Sequence, residues 1–308
     1  MNTQTIFIKM GGSLKEVRDR IKSVQSTQQI TKAMKMVAAA KLRKATQAIT
    51  QIRPYADKLN SMLVNILSNL DGDVSISYGV ERPVENALIV VMTSDRGLCG
   101  AFNSNVLKAA VKLVEGKYAD AHAAGKLSML FLGRKGEAYF KKNYKNINFI
   151  DDYVNIFGKL NFKDASEVAD RIMVSFNDGT FDSVSVAYAR FRNAAVQYFE
   201  GEQFLPVVEK EGIENTNDSS FNVDFIYEPD QKELLEELVP SILRTTLFRY
   251  MLDTDASQHG ARMTAMDSAT ENAEELVKEL KLSYNKARQE AITKEILEIV
   301  GGAAALDG

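Results

Sequence analysis

The sequence is poor in the residues that carry most small-site chemistry. It holds one cysteine, Cys99, and two histidines, His122 and His259. A single thiol cannot close an internal disulfide, and so few soft ligands make no cluster with metal-ligand spacing. A reducing compartment is expected, and neither a structural zinc nor a cofactor is. No run of eighteen apolar residues occurs, so no membrane-spanning helix is expected, and the first nine residues lack the apolar core of a signal peptide. The leading residues 1–10, ending at a possible alternative start at Met10, are expected to be poorly ordered. No Gly-x-x-x-x-Gly-Lys-Ser/Thr loop is present either, which excludes the common nucleotide cradle.

Helix breakers are missing from both ends of the chain. From Ser13 to Leu67 there is one proline, Pro54, and no glycine; from Pro229 to Val300 the only strong breakers are Pro240 and Gly260. Each stretch is expected to be one long helix, roughly 80 Å and roughly 100 Å at 1.5 Å per residue. Ser13 and Glu16 have capping-box spacing at the first start, and Pro54 is a possible kink. Val17, Ile21, Val24, Gln28, Thr31, Lys35, Ala38, Leu42, Ala45, Ile49 and Ile52 follow three-four steps, a heptad seam interrupted by polar residues. Ala261, Ala265, Ala269 and Ala273 offer a small-residue stripe on the second helix. The two helices are expected to pair antiparallel, because the intervening segment must join their same ends.

The middle of the chain reads as α/β. Ala87–Met92 and Leu127–Leu132 are short apolar runs, each followed by a glycine-containing turn and a helical stretch, 103–118 and 134–144. A third helix is expected at 162–176, and a hairpin from 183–191 and 195–199 at the sheet edge. The polar segment 210–222 reads as a loop. The fold class is thus an antiparallel two-helix coiled coil, 11–68 with 229–306, carrying an inserted Rossmann-like α/β domain at 84–226.

Acidic residues are absent between Asp19 and Asp57, while Arg20, Lys22, Lys32, Lys35, Lys41, Arg43, Lys44 and Arg53 fall there. A run of one charge sign is commonly a solvated face. Here Ile30, Met34, Met36, Val37 and Ala38–Ala40 surround the same turns, and a helix apolar on nearly every side is normally enclosed. The basic groups then need carboxylates or phosphates within the enclosure. Nucleic acid is the rival partner, disfavoured by the net charge of −3 and the apolar interleaving. The other end makes a similar demand: Ile292, Ile296, Leu297, Ile299 and Val300 would leave an apolar tip in water. Arg288 and Gln289, just before it, can dock against carboxylates, although a plain exposed helix face fits the same pattern.

Ser94-Asp95-Arg96-Gly97-Leu98-Cys99-Gly100 lies between a strand and a helix, where α/β sheets often hold ligands. It makes an enzyme or ligand-binding domain carried on a coiled coil the alternative function. Against it, Cys99 has no nearby histidine or second thiol in sequence, and the two glycines suit a tight turn.

Three separated stretches, in order, resemble the γ subunits of F-type ATP synthases: Lys22–Lys41, Ser94–Asn103, and Arg262–Met266 with Tyr284–Thr293 and Ile299–Ala303. The resemblance spans residues 11–306. It implies a non-catalytic central-stalk rotor that couples ion flow through a membrane c-ring to ATP synthesis or hydrolysis in an α/β catalytic head. The partners it implies are the α and β subunits, the ε subunit and the c-ring. It assigns contacts with the head to Lys32, Lys35, Arg288, Gln289, Thr293, Ile296 and Val300, and contacts with the c-ring and ε to Phe225, Tyr227 and Glu228. Lys35 stands where many relatives have an acidic residue. The regulatory dithiol of chloroplast relatives is missing, so a bacterial type, peripheral on the cytoplasmic face of the plasma membrane, is expected.

Overall fold

The computed structural model describes residues 14–68, 78, 79, 81–207 and 231–306. Both terminal stretches are helical: α1 runs Leu14–Ser68 and α6 runs Gln231–Leu306. Helical assignment continues through Pro54 and through Pro240, so neither proline starts a new segment. No helix among the described residues is long and apolar enough to cross a membrane. The chain divides into two compact units, one from its two ends and one from Ala38–Thr264.

In the unit formed by the chain ends, α1 and α6 pair antiparallel. Arg18 reaches Tyr284, Thr31 meets Thr270 and Lys35 meets Asp267, so position rises on one helix as it falls on the other. Val17, Ile21, Val24, Gln28, Thr31 and Lys35, the seam expected from three-four spacing, are all covered on α1, with Leu14, Gln25 and Met34 partly covered beside them. On α6 the covered positions include Met266, Thr270, Ala273, Val277, Leu280, Tyr284, Ala287 and Ala291. These keep a strict heptad. Ala265, Ala269 and Ala273 of the alanine stripe read from the sequence are covered as well, beside the seam that alternating threes and fours hold against the facing helix.

The larger unit is built on a five-stranded sheet, β1 (Ala87–Met92), β2 (Leu127–Leu132), β3 (Asn148–Ile150), β4 (Ser183–Phe191) and β5 (Gln197–Leu205), in the order β3-β2-β1-β4-β5. All neighbours are parallel except β4 and β5. Every residue of β1 and β2 is buried. The reason is cover on both faces. Leu88, Val90 and Met92 join α5 (Phe162–Asn177) and the stretch of α6 around Val239–Met251, while Ala87, Ile89 and Val91 join α2 (Phe102–Glu115), α3 (Ala119–Ala123) and α4 (Arg134–Asn143). A strand buried on both faces reads as a continuous apolar run instead of an alternation.

The sequence expectation differs in detail at three places. The helix expected at 103–118 ends at Glu115, where the backbone of Gly116 leaves the helical region, and a separate short helix follows at Ala119–Ala123. The three-residue β3 is too short for any period to reveal it. The second hairpin strand extends to Leu205, past Glu200-Gly201-Glu202, where polar residues hide the pattern. Those carboxylates are used by the fold: Tyr188 and Tyr250 direct their hydroxyls at Glu202, and Arg190 donates to Glu200. Ser13 and the segment 210–222 lie outside the described residues.

Candidate functional site

Among the described residues, α6 extends beyond the start of α1. Arg18 Nη2 donates to the Tyr284 hydroxyl at 2.7 Å, which places the start of α1 within about a turn of Ala287. Ala291 is the last α6 residue with partial cover, and each of residues 292–303 is exposed. Ile296, Leu297, Ile299 and Val300 are 54, 66, 70 and 60% exposed, and none of the described residues covers them. Leaving four large aliphatic side chains in water forgoes on the order of 1.5–3 kcal/mol each relative to full burial. A contiguous exposed apolar surface of this kind marks an interaction site.

Of the predicted head contacts, Arg288, Gln289, Thr293, Ile296 and Val300 lie on this end of α6. Arg288 and Gln289 are exposed one turn past Tyr284, and Thr293 is exposed with its hydroxyl returned to the Gln289 carbonyl at 2.9 Å. Lys32 is exposed on α1. It does not join Arg288: Lys32 neighbours Thr31, which meets Thr270, so the two cations are separated by the α6 rise from 270 to 288, about 27 Å. Any acidic partner must engage them at two levels. Lys35 is half-exposed and forms an ion pair with Asp267 on α6. Its charge is therefore met inside the helix pair, and the Asp267 carboxylate is the residue that sequence reading passed over. An exposed pair of this kind contributes little. A double-mutant cycle of Lys35→Ala and Asp267→Ala by urea unfolding should give a coupling under about 1 kcal/mol that shrinks with salt. Phe225, Tyr227 and Glu228 lie outside the described residues.

The basic helix carries apolar side chains that water should not hold. Ile30, Met36 and Val37 are 57, 61 and 58% exposed, alongside exposed Arg20, Lys22 and Lys32. A second set of exposed cations, Lys41, Arg43, Lys44 and Arg53, continues on α1 in the larger unit. Mixed apolar and cationic exposure suits an enclosing protein surface rich in carboxylates.

In the larger unit, the loop after β1 is held from several sides. The Ser94 amide donates to Asn103 Oδ1 at 3.0 Å, the Asn103 amide donates to Cys99 Sγ at 3.2 Å, and Arg262 Nη2 donates to the Arg96 carbonyl at 3.1 Å. Leu98 and Gly100 have φ of 60° and 58°, and Leu98 is turned out to solvent. Burial pushes the Asp95 carboxyl above the usual carboxylate range, partly offset by the Arg134 amide and guanidinium. Cys99 is buried against Ser94, Asn103 and the Arg96 carbonyl, none of them a base that could draw off its proton. Its surroundings are those of a small buried side chain that shapes the turn.

Comparison with known proteins accounts for this arrangement. A family model described as ATP synthase matches residues 13–306. The ATP synthase gamma chain of Cytophaga hutchinsonii is 49% identical over 295 residues, covering 96% of this chain and 99% of that one. That of Flavobacterium johnsoniae is 46% identical over 297 residues, and that of Chlorobaculum tepidum 44% over 294, each with the same shares covered. Among solved structures, a chain of the Euglena gracilis mitochondrial ATP synthase assembly of OSCP, F1 and c-ring superposes with a TM-score of 0.63 at 20% identity, covering 95% of this chain and 94% of that one. A chain of the rotor of the same synthase gives 0.59 at 22% identity, over 91% and 98%. Matched over residues 13–306 and sharing nearly half its residues with the three gamma chains, the chain belongs to the ATP synthase gamma-chain family, the non-catalytic rotor subunits of the central stalk.

Proposed function

We propose that the chain turns inside a ring of α and β subunits and passes the rotation of a membrane c-ring to the catalytic sites they carry, with ε beside it. In this reading 11–68 and 229–306 form the shaft, and 84–226 forms the inserted domain, with Phe225, Tyr227 and Glu228 toward the c-ring. The observation that carries it is the apolar end of α6, Ile292–Val300, which no described residue covers. A sleeve of head subunits would cover it. An asymmetric shaft in such a sleeve makes different contacts with each subunit as it turns, and those differential contacts are what can bias one subunit toward open and the next toward closed. The gamma chains of Cytophaga hutchinsonii, Flavobacterium johnsoniae and Chlorobaculum tepidum are bacterial, which supports a place on the cytoplasmic face of a bacterial plasma membrane, held there through the complex.

Arg288, Gln289, Thr293, Ile296 and Val300 at the tip, with Lys32 and Lys35 lower down, are the residues assigned to the head. Arg288 and Lys32 are the sharpest test, because each would meet a carboxylate in a charge-assisted hydrogen bond. In the assembled complex, reconstituted in vesicles, replacing both with alanine should lower ATP-driven ion pumping per ATP hydrolysed by roughly tenfold, the scale of one such bond. Pumping at the parental ratio would show these charges to be incidental.

A further inference from the structure

Where β1 stops, α6 takes over its hydrogen bonding. The last residue of β4 paired to β1 is Ala187, opposite Val91. Ala189, two residues further and fully buried, directs its amide and carbonyl toward the same side, where no strand remains. Its N–H donates to Thr254 Oγ1 at 3.4 Å, and its carbonyl accepts from Ser257 Oγ at 3.3 Å. The Thr254 hydroxyl proton is turned to Met92 Sδ, 3.8 Å away at the end of β1. Thr254 and Ser257 are themselves fully buried, so neither hydroxyl is offered to water.

A second attachment follows on the same side of α6. Gly260 lies so close to the hairpin turn that a Cβ there would come within 3.1 Å of Ala194 Cα, and the Thr264 hydroxyl is shared between the Gly260 carbonyl of its own helix at 3.2 Å and the Ala194 carbonyl at 3.3 Å. The two attachments are ten residues apart, about 15 Å along the helix. Apolar packing is non-directional and lets a helix roll over a sheet with little change in buried area. Hydrogen bonds set off the helix axis do not, because rolling breaks their geometry.

We propose that Thr254 and Ser257 form a clamp through which rotational load passes between the central sheet and α6, with the Gly260–Thr264 contact as its second point. The proposal rests on the rotor reading and names positioning residues within it. The test is made in the assembled, vesicle-reconstituted complex, measuring ATP hydrolysis and ATP-driven ion pumping together. The T254V/S257A chain keeps nearly all the side-chain volume and loses both hydroxyls. It should hydrolyse ATP at close to the parental rate while pumping per ATP falls about fivefold, the factor carried by one hydrogen bond of ordinary net strength. T254S and S257T retain the hydroxyls and should keep the parental ratio.

A purely structural role would lower the melting temperature of the double variant and leave the pumping ratio unchanged; that result overturns the clamp, as does the same fall in T254S. If the double variant does not enter the complex, S257A alone carries the prediction, and a parental ratio in S257A overturns it. Parental chain that assembles but supports no pumping would instead defeat the rotor reading itself.

Discussion

Gly133→Ala should destabilise the chain by more than about 4 kcal/mol, beyond the range of ordinary substitutions and enough to prevent folded protein from accumulating. Gly133 precedes α4 with φ of 114° and ψ of 135°, a conformation that L side chains rarely adopt. Space is the larger obstacle. A Cβ would sit 2.0 Å from the Thr93 carbonyl oxygen and 2.6 Å from its carbon. Thr93 cannot give way, because its amide donates to the Leu132 carbonyl at 2.8 Å and its hydroxyl accepts from the Gly136 amide at 2.8 Å. The ends of β1 and β2 are interlocked at this point, and the loop that follows β1 is anchored there. Gly158→Ala is the control, since a Cβ there meets nothing within 4 Å. Urea unfolding should find the control within about 0.5 kcal/mol of the parent. A Gly133→Ala chain losing less than about 1 kcal/mol would show that the two strand ends are not locked as described.

The second large effect has the opposite sign. Asp253 is 6% exposed, its Oδ1 is buried without a hydrogen-bond partner, and burial pushes its carboxyl up to about 6. Arg249 on α6, Arg53 on α1, Arg190 on β4 and the backbone at Phe191 pull the other way and do not win. Because the folded chain holds this proton more tightly than the unfolded chain, Asp253 favours folding below the unfolded value of 3.8 and loses that contribution as pH rises through about 6. Above that the fold carries a desolvated charge. Asp253→Asn should therefore match the parent near pH 4 and exceed it by roughly 3 kcal/mol at pH 7.5, as read from urea unfolding of the full chain. Parallel pH profiles for the two proteins would exclude a buried, ionising Asp253.

Much of this architecture was legible because the signals are periodic or continuous. The α1 seam from Val17 to Ile52 could be read at residue level, since alternating threes and fours mark one facing stripe and burial follows it. The limits of β1 and β2 were legible because a strand covered on both faces is an unbroken apolar run. What α6 packs against was not. Leu243, Leu247 and Met251 read as helix positions, and periodicity does not say whether a helix faces another helix or a sheet. Thr254 and Ser257 gave no signal at all, because a polar residue that replaces a strand's backbone looks like any small polar residue on a helix. The same holds for Lys35. Its place in the heptad was clear, whereas Asp267 could be found opposite only once the register was known.

Ile292, Ile296, Leu297, Ile299 and Val300 are too apolar for a free helix, and the structure leaves them uncovered among the described residues. That surface is where a rotor and its enclosing subunits would meet.

The most direct test is recovery of the tagged chain from gently solubilised membranes of its source, with the co-purifying chains identified and ATPase activity assayed in the eluate. Rotor function predicts recovery of the α and β head subunits together with ATP hydrolysis. A monomer recovered without them and without activity would contradict it, and would turn attention to the sheet domain and a ligand of its own.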